Sequence, residues 1–190
     1  MPNAKLISIT PNYMELLKIA CSKPYGKDIT DKAIKRIIES GHLSVLEHCY
    51  ASFDVECSVR VLGQLTRHRH LSFTVKSARG SEFTEFVGKD ASIGQFMLET
   101  YKAQIEYGMP YEDAAYYLPQ GAKTSMVVTG NFRAWYEYLP KRLCRRAMPE
   151  HRELAECIQT ELAKACPEIF DAMMMGCDTC KEKSCSFSHK

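Results

Sequence analysis

Apolar and polar positions change period several times along the chain, and each change marks an element. Leu6, Ile7 and Ile9 make residues 5–10 read as a short strand, after which Met14, Leu16, Leu17 and Ile19 recur at helical spacing from Asn12 to Cys21. Ala33, Ile34, Ile37 and Ile38 give one apolar face to a second helix, which Thr30 or Asp31 can cap and Gly41 can stop. From Cys49 to Cys57 the period drops to two. Tyr50, Ser52, Asp54 and Glu56 alternate with Ala51, Phe53, Val55 and Cys57, the pattern of a half-buried strand. Val59, Leu62 and Leu65 restore helical spacing and predict a helix from Ser58 to His70. Alternation from Phe73 to Ala78 predicts another strand, closed by Gly80.

Residues 81–95, with Gly88 and Gly94 among scattered charges, have the weakest pattern and read as a mobile connection. Helices follow over residues 95–107 and 110–117. The second opens on Pro-Tyr-Glu-Asp, which suits the positive end of a helix dipole, and Pro119 ends it. Lys123 to Thr129 reads as a strand that Gly130-Asn131 turns into a helix from Phe132 to Arg146, where Pro140 should introduce a kink or a turn. Pro149 starts the last long helix, with Leu154, Cys157, Ile158 and Leu162 on its buried face before Pro167. The aromatics Tyr116-Tyr117 and Trp135-Tyr136-Tyr138 read as core packing, and His42 and His48 as structural histidines.

Composition narrows this picture without changing it. The 190 residues are 45% apolar with no Pro/Gly/Ser-rich linker, so one domain is expected over residues 1–175, followed by a cysteine-bearing tail over 176–190. A net charge of +2 is too small for a general nucleic-acid or membrane binder, and the chain carries no leader-like start and no membrane-length apolar run. Nine cysteines, among them Cys57 and Cys157 at core-like positions, fit reduced thiols of a cytoplasmic protein. In the tail, Cys177 and Cys180 with Cys185 and His189 form at most one zinc half-site, and no metal is assigned to it.

Charge is concentrated between Gln64 and Gly80. Arg67, Arg69, Lys76 and Arg79 lie there with His68, His70, Ser72, Thr74 and Ser77, and no acid interrupts them. Arginine forks beside hydroxyls suit phosphate, pyrophosphate or an acidic heterocycle.

The order of these residues is informative. Arg67-His68-Arg69, seven further residues and then Ser77 resembles the RHR-x7-S signature of the flavin-dependent thymidylate synthases, the ThyX family. Gln64 and Arg79 also match. So do Gly41-His42-x-Ser44-x-x-Glu47-His48, Leu118-Pro119, Thr124, Asn131-x-Arg133, Arg142, Ala147 and Glu150, in family order. The resemblance implies an α+β fold, an antiparallel sheet with helical layers. It implies FAD as cofactor, with NADPH and methylenetetrahydrofolate as co-substrates in the reductive methylation of dUMP to dTMP. It also implies a homotetramer with its sites between subunits.

Carried over by motif, Ser44, Arg67, His68, Arg69, Val75, Asn131, Phe132, Arg133 and Glu137 match flavin-contacting positions. Gln64, Leu65, Thr66, Arg67, Val75, Lys76, Ser77, Ala78, Arg79 and Arg142 match nucleotide positions. Arg142 matches the arginine facing the pyrimidine edge, the implied catalytic residue. Departures fall on the nucleotide side. Ala115 stands where many members carry a phosphate arginine, leaving Lys76 and Lys123 as the cations that could compensate, and Gly80 replaces a tyrosine. Ala147-Met148-Pro149-Glu150-His151-Arg152 replaces Ala-Gln-Trp-Glu-Ile-Arg. A methylase of another uracil nucleotide such as UMP, a flavin- or nucleotide-binding paralogue without methyl transfer, and an RNA-binding module remain as alternatives at this level.

Overall fold

The structure, a computed structural model, describes residues 1–88, 90–170, 180 and 182–187. In chain order its elements are β1 (Asn3–Ile9), α1 (Tyr13–Ser22), α2 (Asp31–Glu39), a 3-10 turn (Leu43–His48), β2 (Tyr50–Ser58), α3 (Val59–Leu65) and β3 (Leu71–Val75). Then come α4 (Ala91–Glu106), α5 (Tyr111–Ala114) with a 3-10 turn (Ala115–Tyr117), β4 (Lys123–Asn131), α6 (Phe132–Leu143), α7 (Pro149–Ala165) and α8 (Pro167–Phe170). The strands form one antiparallel sheet in the order β1-β2-β4-β3.

Register explains why one face of this sheet is the core. β2 and β4 pair from Tyr50↔Asn131 to Ser58↔Lys123 without a break, so Ala51, Phe53, Val55 and Cys57 lie level with Gly130, Val128, Met126 and Thr124. These residues belong to a core shared with Trp135, Tyr138 and Leu139 of α6 and with Leu154, Ala155, Ile158 and Leu162 of α7. The opposite face is polar: Ser52 and Thr129 share a 2.8 Å hydrogen bond, while Tyr50, Asp54 and Val127 are exposed. Leu17, Ile34, Ile38 and Leu46 bring α1, α2 and the first 3-10 turn into the same core. A smaller cluster of Phe83, Leu98, Tyr101, Ala114 and Ala122 anchors α4 and α5.

Several expectations need correction. α3 stops at Leu65, where the apolar stripe ends. Arg67 N–H then bonds the Gln64 carbonyl, His68 N–H the Leu65 carbonyl and Leu71 N–H the His68 carbonyl, so the basic triplet forms a tight turn rather than helix. β3 covers residues 71–75 instead of 73–78, and α4 begins at Ala91 instead of Gln95. α5 is a single turn, and Tyr116 and Tyr117 in the 3-10 turn after it are exposed instead of packed, since that turn lies outside the sheet and its helical layer. α6 continues through Pro140 to Leu143 without a break. Trp135, Tyr138 and Leu139 bury its flanks there, although proline offers no N–H to the preceding turn.

Within residues 81–95, Gly88 and Gly94 make room for a side chain. A Cβ at Gly88, Gly94 or Gly121 would fall 2.4, 2.1 or 2.3 Å from the Phe86 ring. Cys57 is buried as expected, while Cys157 is half-buried at the edge of the α7 face. Cys177 and His189 of the tail, and the boundary placed at residue 175, lie outside the described residues. No helix among the described residues is long and apolar enough to cross a membrane.

Candidate functional site

Folding divides the basic stretch that looks continuous in sequence. The Arg67–Arg69 turn precedes β3 and Ser77–Arg79 follow it, so about 13 Å of extended strand separates the two groups of cations. The two groups have different surroundings.

At the start of β3 most of the residues matched to the flavin come together, whereas Val75 lies at its other end. Leu71 pairs with Gly130 of β4, which pairs with Ala51 of β2, so His70, Asn131 and Tyr50 lie at one end of the sheet beside the 3-10 turn that carries Ser44. Asn131 caps α6 through its side chain, which accepts from Ala134 N–H at 2.8 Å. Glu47, His70, Asn131, Arg133, Ala134 and Glu137 line a cavity of about 260 Å³ here. Arg133 is held by two carboxylates, Glu47 at 2.6 Å and Glu137 at 2.9 Å. Ser44, Arg67 and Arg69 are exposed and open to a ligand. Phe132 is fully buried against Tyr13 and Phe170, and Leu65 is fully buried too, so neither side chain faces a ligand and only their backbone remains available.

A second, polar cluster joins distant parts of the chain. Arg142 Nε donates to His68 Nε2 at 2.9 Å, although 74 positions separate the two residues. The His68 ring stands edge-on to the Tyr138 ring at 4.8 Å and to the His151 ring at 6.4 Å. His151 Nδ1 is 3.3 Å from Gln64 Oε1, and Gln64 Nε2 donates to Met148 Sδ at 3.3 Å. Glu150 accepts from both the backbone N–H and the hydroxyl of Ser58, at 2.7 and 2.8 Å, which ties the start of α7 to the end of β2.

Both histidines are held neutral. Burial, then the Arg142 charge, then Lys141 lower His68 from 6.5 to about 4. Burial, then Arg142, then His68 lower His151 from 6.5 to about 3. The unfolded chain binds protons near pH 6.5 that the folded chain refuses, so stability from these groups is complete above that pH and is lost as pH falls towards 4 and then 3. Thermal melts are expected to show Tm dropping over this window, and His151→Phe should reduce the slope. A slope unchanged in that variant would exclude His151 as a contributor.

At the far end of β3, the backbone N–H of Arg79 bonds Ser77 Oγ at 3.2 Å and the Gly80 N–H bonds the Ser77 carbonyl at 3.4 Å. These bonds fold the segment into a small concave turn beside half-buried Ala78. Arg79 pairs with Glu112 of α5 at 3.2 Å, on an exposed surface close in sequence to Ala115. Neither cation expected to compensate for Ala115 is unengaged. Lys76 Nζ lies 4.6 Å from the centroid of the Phe83 ring, and Lys123 is paired with Glu85 at 2.7 Å and Glu56 at 3.3 Å. Thr66 is exposed and bonds the Leu62 carbonyl, while Val75 is half-buried at the end of β3.

Sequence reasoning missed His151. His42 and His48, read as structural, are exposed, whereas His151 has no exposed surface. The signal was present: position 151 continues the spacing of Leu154, Ala155, Ile158 and Leu162 along the buried face of α7.

A profile of the family described as thymidylate synthase complementing protein matches residues 5–168. The flavin-dependent thymidylate synthase of Saccharolobus solfataricus is 32% identical over 203 aligned positions, which cover 90% of this chain and 76% of the relative. That of Pyrococcus furiosus is 38% identical over 153 positions, covering 70% and 63%. Among solved structures, thymidylate synthase X of Helicobacter pylori, crystallised with FAD and dUMP, superposes with a TM-score of 0.80 at 22% identity, over 90% of this chain and 98% of the other.

Proposed function

The chain belongs to the thymidylate synthase complementing protein family, and on that premise we propose that it is a flavin-dependent thymidylate synthase that methylates dUMP to dTMP. One contact carries the reading most directly: Arg142, matched to the pyrimidine-facing arginine, is bonded to His68, the centre of the triplet matched to the flavin. Two roles assigned from separate motifs thus meet at one place.

FAD fits the residues present. Exposed Arg67 and Arg69 suit a pyrophosphate, and the cavity bounded by His70, Asn131, Arg133 and Glu137 offers a mixed donor and acceptor lining for a polar ring or ribose. When bound and reduced, the flavin supplies the hydride that converts the transferred methylene into methyl. NADPH as reductant and methylenetetrahydrofolate as carbon donor belong to the same proposal.

The protein's own contribution is orientation and charge. Arg142, its Nε fixed on a neutral imidazole, turns its remaining N–H groups towards the nucleotide and stabilises negative charge on the pyrimidine. Gln64 adds an N–H donor. Ser77 with the turn after it and Arg79 suit the phosphate, which has to compete with Glu112 for Arg79. Burial pushes Cys57 and Cys166 up to about 12, so both remain protonated in the core at neutral pH.

The separation along β3 supports sites built between subunits of a homotetramer. A nucleotide whose base lies by Arg142 and the triplet takes its phosphate contacts most readily from Ser77–Arg79 of another copy. Reduced buried thiols agree with a cytoplasmic place of action. The purified protein is expected to show the absorbance of oxidised flavin, or to gain it on addition of FAD. It should then form dTMP from dUMP with methylenetetrahydrofolate and NADPH. Failure to bind flavin even at millimolar FAD would overturn this reading.

A further inference from the structure

His151 is a fully buried residue of the polar cluster described above, and the proposed reaction gives it no role. Its ring is enclosed by Tyr138, 5.8 Å away, and by His68, and its Nε2 has no hydrogen-bond partner. Gln64 fixes its tautomer. Facing His151, the Gln64 carbonyl oxygen can only accept, so Nδ1 carries the hydrogen and Nε2 is left with a bare lone pair. An unpartnered lone pair in the core costs less than an unpartnered N–H, so the neutral Nδ1–H form suits this cage. The opposite orientation of Gln64 would set its carbonyl oxygen against Met148 Sδ with no hydrogen between them. With the oxygen held by His151, the amide nitrogen is the end left to face outward from α3.

We propose that His151 is a positioning residue of the nucleotide site: its Nδ1–H anchors the Gln64 carbonyl so that Gln64 presents only an N–H donor to an acceptor oxygen of the nucleotide. The proposal rests on the thymidylate synthase reading and adds to it a determinant from α7, an element that otherwise supplies packing and the Glu150–Ser58 tie. The polar, aromatic and charged neighbours of the ring include Gln64 from α3, His68 from the turn, and Tyr138 and Arg142 from α6, with Met148 beside Gln64. Among them the Gln64 carbonyl is the acceptor in hydrogen-bond reach of the His151 ring.

The test is dUMP affinity, measured by calorimetry with FAD present so that turnover is not required. His151→Phe keeps an aromatic ring beside Tyr138 and His68 but removes the donor. It is expected to weaken dUMP binding about tenfold while flavin binding is retained. His151→Asn places an amide N–H near the former Nδ1 and should restore affinity to within about threefold of wild type. His151→Gln carries its donor one bond further out and should resemble the Phe variant. A purely structural role would lower Tm without this ranking. Wild-type affinity in His151→Phe, or equal impairment in the Asn and Gln variants, overturns the proposal, and the Asn and Gln pair decides alone if the Phe variant fails to fold. A wild-type chain that binds no dUMP overturns the functional reading, whereas binding that is indifferent to His151 overturns only this inference.

Discussion

Arg142→Ala is expected to lower kcat for dTMP formation by about two to three orders of magnitude while flavin remains bound. Removing one preorganised donor aimed at developing charge has a cost of about that size. The structure explains why Arg142 is preorganised. It lies in the last turn of α6, half-buried, with Nε committed to His68 Nε2 at 2.9 Å, so the guanidinium plane is set before substrate arrives. His68 is in turn fixed edge-on against Tyr138, whose side chain is 1% exposed. Arg142→Lys should restore little activity, because an ammonium provides neither the planar fork nor the Nε contact. The measurement is the initial rate of dTMP formation at saturating dUMP and methylenetetrahydrofolate, with flavin absorbance as the control for an intact cofactor site. Turnover within about threefold of wild type would remove Arg142 from the catalytic role.

Trp135→Ala should destabilise the fold by about 3–5 kcal/mol, the usual cost of emptying a large aromatic site. Trp135 has no exposed surface, meets Phe53 edge-on at 5.1 Å and Tyr138 at 5.7 Å, and donates its indole N–H to the Ala51 carbonyl at 3.1 Å. The space it fills is shaped by Gly130, where a Cβ would lie 2.3 Å from Leu71 Cδ2 and 3.3 Å from the indole nitrogen. Losing the indole therefore leaves a cavity between β2, β4 and α6. Tm should fall by on the order of 10 °C for a chain of this size, read by circular dichroism. Because Tyr138 rests on Trp135 and His68 rests on Tyr138, the loosened core should also raise KM for dUMP. A melt within 2–3 °C of wild type, roughly 1 kcal/mol, would mean that this contact network collapses without cost.

Alternation in β2 was legible because the sheet buries one face, and a period of two survives in the residue types: Ala51, Phe53, Val55 and Cys57 are all fully or nearly fully buried. The cap at Thr30, one of the two offered for α2, the turn at Gly130-Asn131 into α6, the stop at Gly41 and the start at Pro149 were legible for the same local reason, since each is decided by backbone groups within a turn. Local pattern misled at Tyr116-Tyr117 and at Arg67–His70. Aromatic character does not tell whether a neighbour exists to cover the ring, and helical spacing does not announce that the core has ended at Leu65.

Sequence alone determined the candidates for the chemistry: an ordered set of motif residues, Gln64, Arg67-His68-Arg69, Ser77, Arg79, Asn131, Arg133 and Arg142, whose types and order matched one family. Tertiary structure decided which of them lie together. Antiparallel pairing of β3 with β4 places the triplet and Ser77–Arg79 at opposite ends of a strand, although one short stretch of sequence holds them all. Packing of α6 and α7 over the sheet brings Arg142 to His68 and His151 to Gln64 across 74 and 87 positions. It also directs Phe132 and Leu65 inward and leaves Lys76 and Lys123 engaged elsewhere. The physical reason is that burial and charge pairing depend on what the rest of the chain places beside a residue, which spacing along the chain does not record.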